Sequence, residues 1–297
     1  MKRQTELLVQ QLKTLGDPTR LRLTALCRRG ECSVSELTHI IGQSQPRISQ
    51  QLKALCEAGL LTRFRDGKRV FYRVSRIRDV SPGLMQLLTL IPDNDPIFES
   101  DWNLLQQYRG ERIGVLADDR EDDTAVRALH RAVLDLTMTA PVGDLLDVGC
   151  GRGTILKLLA SRTNRAVGVD IDANARQLAR AELMLAGIPH CSLRKGDMYR
   201  LPFEDAGFNT IIIDDVLVDA RDPVRALHEA RRLLCPRGRL FILESIVKQS
   251  ADQMQVSLAK WSRDAGLRLA PARLVPQKSP AWFVSVATAA AGQTRAT

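Results

Sequence analysis

Apolar residues recur at helical spacing through the first sixty positions. Leu7, Leu8, Leu12 and Leu15 predict a helix over 4–15, ended by Gly16-Asp17-Pro18. Leu21, Leu23 and Leu26 predict a second helix over 19–27. Val34, Leu37, Ile40 and Ile41 predict a third, opened by the capping-box pattern Ser33-Val34-Ser35-Glu36 and stopped at Gly42. Ile48, Leu52 and Leu55 predict a fourth over 44–55, capped by Ser44 with Pro46 in its first turn. Over 60–74 the residues become β-branched and aromatic around Asp66-Gly67, which predicts a hairpin. Helix, glycine turn, helix and basic hairpin is the order of a winged helix-turn-helix.

Pro82, Pro92 and Pro96 mark a junction around a short apolar stretch, 84–91. Residues 97–108 predict a connecting helix, 111–123 read as a loop with an acidic end, and 124–136 carry Val126, Leu129, Val133 and Leu136 on one helical face. From Leu145 onward strand and helix patterns alternate. LLDVG, AVGVD, CSLRKGD, FNTIIIDDV and RLFILES read as strands, and 155–161, 173–186 and 223–234 as helices. Such alternation predicts a parallel sheet covered by helices. The expected architecture is an α+β winged helix-turn-helix domain (1–80), a linker and helical dimerisation region (81–123), and an α/β Rossmann-like domain (124–290), with a small-residue tail from Ala287.

The formal net charge of +9 in 297 residues sharpens this division. Residues 1–80 hold 16 Lys and Arg against 7 Asp and Glu, and the remaining residues hold 27 of each. The whole surplus sits on the first quarter, which points to a polyanion-binding module joined to an electroneutral one. No apolar run reaches the ~18 residues of a membrane span, and MKRQTELLVQQL lacks the apolar core of a signal peptide. Six scattered cysteines without a Cys-x-x-Cys pair fit reduced thiols in a cytoplasmic protein.

The fourth helix presents Ser44, Gln45, Arg47, Ser49, Gln50 and Lys53 on its polar side. Arg and Gln there suit bidentate contacts to guanine and adenine edges in a major groove. Arg63, Arg65, Lys68 and Arg69 surround the hairpin tip and suit the flanking phosphates or the minor groove, contacts that fix position more than sequence. In GDPTRLRLTALC, ECSVSELTHIIGQSQPRISQQLKALCEAGLL and DGKRVFYRV the first 75 residues resemble the ArsR/SmtB winged-helix repressors. The resemblance implies a homodimer on palindromic double-stranded operator DNA. Metal-sensing members carry Cys-Val-Cys at the start of the third helix. Here Ser33-Val34-Ser35 stands there, Cys32 lies one position early, and 75–91 holds no His, so no metal site is expected. Cys27, Cys32 and Cys56 read as small buried hydrophobes.

LLDVGCGRGT ends a buried strand in a turn with Gly149, Gly151 and Gly153. The spacing is Gly-x-Gly-x-Gly, not the pyrophosphate-binding Gly-x-Gly-x-x-Gly. A second strand ends at Asp170, 21 residues after Gly149, where a carboxylate can accept from both ribose hydroxyls. The expected ligand has an adenosine-type ribose and no pyrophosphate. With Gly196-Asp197-Met198, LPFEDAGFNTIIIDDVL and EARRLLCPRGRLFILE, the region 144–246 resembles class I S-adenosylmethionine-dependent methyltransferases. The resemblance implies S-adenosylmethionine or S-adenosylhomocysteine as ligand. Gly149 and Gly151 would line its methionine part with Asp147 in support, Asp170 would hold the ribose, Ile171 would pack on adenine, and Asp197 with Met198 would meet the adenine edge. Cys150, Gly153 and Asp214 complete the implied set. The order of the two halves resembles a bacterial group of ArsR-type regulators with a C-terminal methyltransferase domain.

Two functions are consistent with this. In one, the ligand is an effector that biases a repressor between operator-bound and released states. In the other, the domain methylates a small molecule. Departures from the family favour the effector. VLVDARDP replaces a His- or aromatic-containing phrase, Pro236-Arg237-Gly238 replaces Pro-Gly-Gly, and Phe208-Asn209 replaces Phe-Asp. No Trp-Asp follows Tyr108. Methyl transfer needs little beyond positioning, so the missing general base excludes nothing. No catalytic residue is assigned, and His190 reads as structural.

Overall fold

The periodic stretches of the N-terminal part fold as four helices and a hairpin. The structure, a computed structural model, describes residues 4–75, 88, 95–114, 123–138, 140–246 and 250–290. Contacts divide the chain into two units, Met1–Ala117 with Arg180–Pro189, and Asp118–Ala179 with His190–Thr297.

In the first unit, α1 (Gln4–Leu15), α2 (Pro18–Arg28), α3 (Val34–Ile41) and α4 (Gln45–Glu57) precede β2 (Leu61–Asp66) and β3 (Arg69–Val74). Asp17 accepts from Arg20 N at 3.0 Å and starts α2. Ser33 and Glu36 form the expected capping box, and Gly42 ends α3 at φ 71. A two-residue strand β1 (Cys32–Ser33) pairs with β3 and completes a three-stranded sheet that the pattern did not suggest. Leu23, Leu37, Ile48, Leu52, Leu55 and Leu60 are wholly buried in one core. Helix α5 (Pro96–Gly114) is longer than expected, so 111–114 belong to a helix and not to a loop. Residues 115–122 and most of 76–94 lie outside the described residues. Asp101 of α5 takes both Nε and Nη2 of Arg22 at 2.7 and 2.6 Å. Arg109 gives Nε to Glu36 at 2.6 Å and Nη2 to the Glu31 carbonyl at 2.6 Å. Burial alone would raise the Glu36 carboxyl, but Arg109 and Ser33 outweigh it and hold the group below its ordinary value.

The second unit contains α6 (Asp123–Thr137), β4 (Gly143–Val148), α7 (Thr154–Leu159), β5 (Thr163–Asp170), β6 (Cys191–Lys195), β7 (Phe208–Asp214), α9 (Pro223–Leu233), β8 (Leu234–Ser245), α10 (Ala251–Asp264), β9 (Leu267–Leu269), β10 (Arg273–Val275) and β11 (Trp282–Ala289). Helix α8 (Ala173–Leu185) joins β5 to β6 and is split between the two units. The five strands read from the alternating pattern form a parallel sheet as expected, and the sheet continues past β8 into an antiparallel edge that the pattern did not suggest. The strand order is β10-β11-β8-β7-β4-β5-β6, with β9 also on β11, and β11 is antiparallel to β8, β9 and β10. Residues 287–289 are therefore strand rather than tail. Strands β8, β7, β4, β5 and β6 are mutually parallel, with β6 at the sheet edge. Strand order reverses at β4, between β5 and β7, and this is where open α/β sheets bind ligands. The LPFEDAG segment between β6 and β7 is clamped from α9. Glu229 accepts Leu201 N at 2.6 Å, and Arg232 donates to the Leu201 and Phe203 carbonyls at 3.1 and 2.9 Å.

Candidate functional sites

Helix α4 buries Ile48, Leu52 and Leu55, and the helical period then leaves Ser44, Gln45, Arg47, Ser49, Gln50 and Lys53 exposed. Ser44 occupies the N-cap position but its hydroxyl makes no capping bond, which corrects the expected cap. Lys53 reaches Glu57 at 3.7 Å as an exposed i,i+4 pair, an arrangement of small energetic weight. Gly67 sits at φ +61, where a side chain would be strained, and turns the hairpin between Asp66 and Arg69. Arg65, Lys68 and Arg69 are exposed around this tip. Asp66 points inward and is 6% exposed.

Cys27 and Cys32 are buried as expected, whereas Cys56 is only half-buried. A hydrogen bond with Cys32, reinforced by burial, pushes the Cys27 thiol well above its ordinary value. Ser33, at the position where metal-sensing relatives carry a thiol, is engaged in the α3 capping box. Among the described residues no cluster of His, Cys, Asp and Glu has metal-binding geometry.

The second site lies at the carboxyl ends of the parallel strands. A cavity of about 390 Å³ is lined by Val148 and Gly149 at the end of β4, Asp170 and Ile171 at the end of β5, Asp197, Met198 and Tyr199 after β6, and Val216, Asp219 and Arg221 after β7. Of the implied residues, Gly149, Asp170, Ile171, Asp197 and Met198 therefore share one cavity. Gly149 is at φ +79, and a Cβ there would meet Val216 Cγ1 at 2.5 Å and the Asp214 carbonyl at 2.7 Å, so only glycine fits. Gly151 N donates to Asp170 Oδ2 at 2.9 Å, and Asp172 N donates to Oδ1 at 2.8 Å. These bonds orient the Asp170 carboxylate, and each oxygen keeps a lone pair for a hydroxyl. Ile171 is 71% exposed beside the cavity, an apolar surface suited to a flat ring. Gly153 sits behind the turn as the N-cap of α7 at φ 77.

Asp147, Cys150 and Asp214 stand behind the lining. Asp147 is wholly buried, and neither carboxylate oxygen has a hydrogen-bond partner. Burial, then the neighbouring Asp214 and Asp170, raise it well above the carboxylate range. Cys150 is 3% exposed, and burial followed by Asp147, Asp170 and Asp214 pushes its thiol well above its ordinary value.

Tyr199, Val216, Asp219, Arg221 and Glu244 were missed in the sequence. Glu244 is the last-but-one residue of β8 and is fully buried. It accepts Leu217 N at 2.8 Å and Val218 N at 3.4 Å, and so holds the segment that carries Val216, Asp219 and Arg221. Burial pushes its carboxyl up to about 7. An acid inside the apolar run LFILES was the available signal.

With both sites built, comparison with known proteins separates them cleanly. Residues 17–63 match the family of bacterial regulatory proteins called the arsR family, and residues 146–242 match the methyltransferase domain family. The chain carries an ArsR-family helix-turn-helix domain followed by a Rossmann-like methyltransferase domain. It is 37% identical over 123 residues to an uncharacterised 37.1 kDa protein in transposon TN4556 of Streptomyces fradiae, covering 40% of this chain and 35% of that one. It is 51% identical over 63 residues to the arsenic resistance transcriptional regulator of Pseudomonas putida, covering 21% of this chain and 49% of that one. The chain thus spans half or less of these curated relatives. A solved S-adenosylmethionine-dependent methyltransferase from Aquifex aeolicus aligns with 60% of this chain and 97% of its own at 18% identity and a TM-score of 0.49. No described helix is long and apolar enough to cross a membrane.

Proposed function

We propose that this protein is a cytoplasmic, homodimeric transcriptional repressor whose affinity for double-stranded operator DNA is set by S-adenosylmethionine or S-adenosylhomocysteine. The observation that carries the ligand is the Asp170 carboxylate, which lines the cavity beside the glycine turn with its two oxygens oriented by Gly151 N and Asp172 N. Asp170 suits the ribose and exposed Ile171 suits the adenine. The cavity, about 390 Å³, is near the lower end of the roughly 300–1,000 Å³ of small-molecule sites, room for one nucleoside-sized ligand. The homodimer is supported by α1, which exposes Val9 and Leu12 at 44% each.

A working methyltransferase acting on a small molecule is the second reading. Tyr199, Asp219 and Arg221 line the cavity beyond the residues implied for the nucleoside and offer polar partners to an acceptor. Calorimetry with each S-adenosyl compound, run beside a radiolabelled methyl-transfer assay, separates the two. The effector reading predicts saturable binding, its loss in Asp170→Ala, and no labelled product. Turnover of a small molecule in parallel with DNA release would favour the enzyme, and no binding of either compound would refute both.

A further inference from the structure

The wing is anchored from a residue far along the chain. Asp66, the last residue of β2, is 6% exposed and receives Nη2 of Arg180 at 2.8 Å. Arg180 Nε reaches Glu31 Oε2 at 3.2 Å, and Arg73 of β3 lies 3.9 Å from the other Glu31 oxygen. The Arg180 guanidinium also lies 4.0 Å from the ring centre of Phe71 on β3. The side chains of Arg180, Glu31 and Asp66 are 5, 3 and 4% exposed. One planar fork therefore serves two buried carboxylates and a ring, a geometry open to Arg and not to Lys.

We infer that Arg180 is a positioning residue for the DNA-binding wing, holding Asp66 inward so that Arg65, Lys68 and Arg69 are presented in one fixed arrangement. The inference rests on the reading of the wing as a DNA contact. Removing Arg180 leaves two buried carboxylates without their shared cation, and Asp66 gains by turning to water. That motion displaces Arg65 on one side and the Gly67-Lys68 turn on the other. Arg180 lies ten residues beyond Asp170, on the helix that follows β5. The wing thus takes its anchor from a segment outside the DNA-binding motif.

The test uses the full chain and a duplex enriched by it from a random library. Three proteins are compared with wild type by fluorescence anisotropy: Arg180→Met, the wing triple Arg65→Ala/Lys68→Ala/Arg69→Ala, and the combination of both. The inference predicts about tenfold weaker binding for Arg180→Met, and less than twofold further change when it is added to the wing triple. Equal losses in both backgrounds, or no loss with the wing intact, would overturn it. If the wing triple itself binds normally, the wing reading fails and the inference falls with it, whatever Arg180→Met does. Should Arg180→Met not fold, Arg180→Lys decides. A loss of at least threefold confined to the intact wing supports the inference, and wild-type affinity in that variant overturns it.

Discussion

Arg237 occupies a backbone conformation, φ +64, that L side chains rarely adopt. The resembling methyltransferases have glycine there, and Arg237→Gly should relieve on the order of 1 kcal/mol of strain. Thermal denaturation is expected to show a midpoint raised by about 2–4 °C; a lowered midpoint would contradict the strain. On the DNA side, Arg47 faces outward from α4 and Arg69 from the wing. Arg47→Ala should cost roughly 1–3 kcal/mol on operator DNA and flatten sequence preference, whereas Arg69→Ala should weaken specific and random DNA alike and lower the salt slope. Equal loss on both DNAs for Arg47→Ala would remove α4 as the recognition helix. These residues were legible in the sequence because each announces itself locally, through a cap, a turn glycine or a charge on a helix face. Arg180 and Glu244 were not, because their partners lie far away along the chain.

Elements with a strong period were legible almost to their ends. Residues 4–15 formed the expected helix, and Ser33, Glu36 and Gly42 bounded α3 as their chemistry requires. Strands β9 and β10 have three residues each and no period to read, and β11 and α10, which complete that side of the sheet unit, were not read from the sequence either. The β7–α9 segment depends on such a distant contact, since Glu244 on β8 holds its backbone. Burial raises the Glu244 carboxyl to about 7, against roughly 4.3 for an unfolded chain. Its favourable contribution is complete below the unfolded value and is lost as pH rises through the folded one. Glu244→Gln keeps one acceptor oxygen and cannot ionise. Relative to wild type it should gain stability between pH 5 and pH 8, by at most about 3 kcal/mol. Urea denaturation at the two pH values checks this, and a parallel pH dependence in both proteins would contradict it.

At the scale of the molecule, charge and cavity divide the labour. The positive surplus belongs to the part that carries α4 and the wing, while the sheet unit gathers Asp147, Asp170, Asp197 and Asp219 around or behind one small cavity. On the proposed reading these acidic groups suit a cationic amino acid nucleoside and oppose a nucleic acid, with the second unit taking the small molecule and the first the DNA. Linkage then requires that DNA and ligand alter each other's affinity by the same factor. The most direct measurement is a titration of the full chain onto its selected duplex, with and without saturating S-adenosylmethionine or S-adenosylhomocysteine, beside Asp170→Ala. At least one of the two compounds should shift the Kd for DNA by about 5–150-fold, and Asp170→Ala should bind DNA normally while losing that shift. An identical Kd with and without both compounds, under conditions where calorimetry shows them bound, would contradict the effector role.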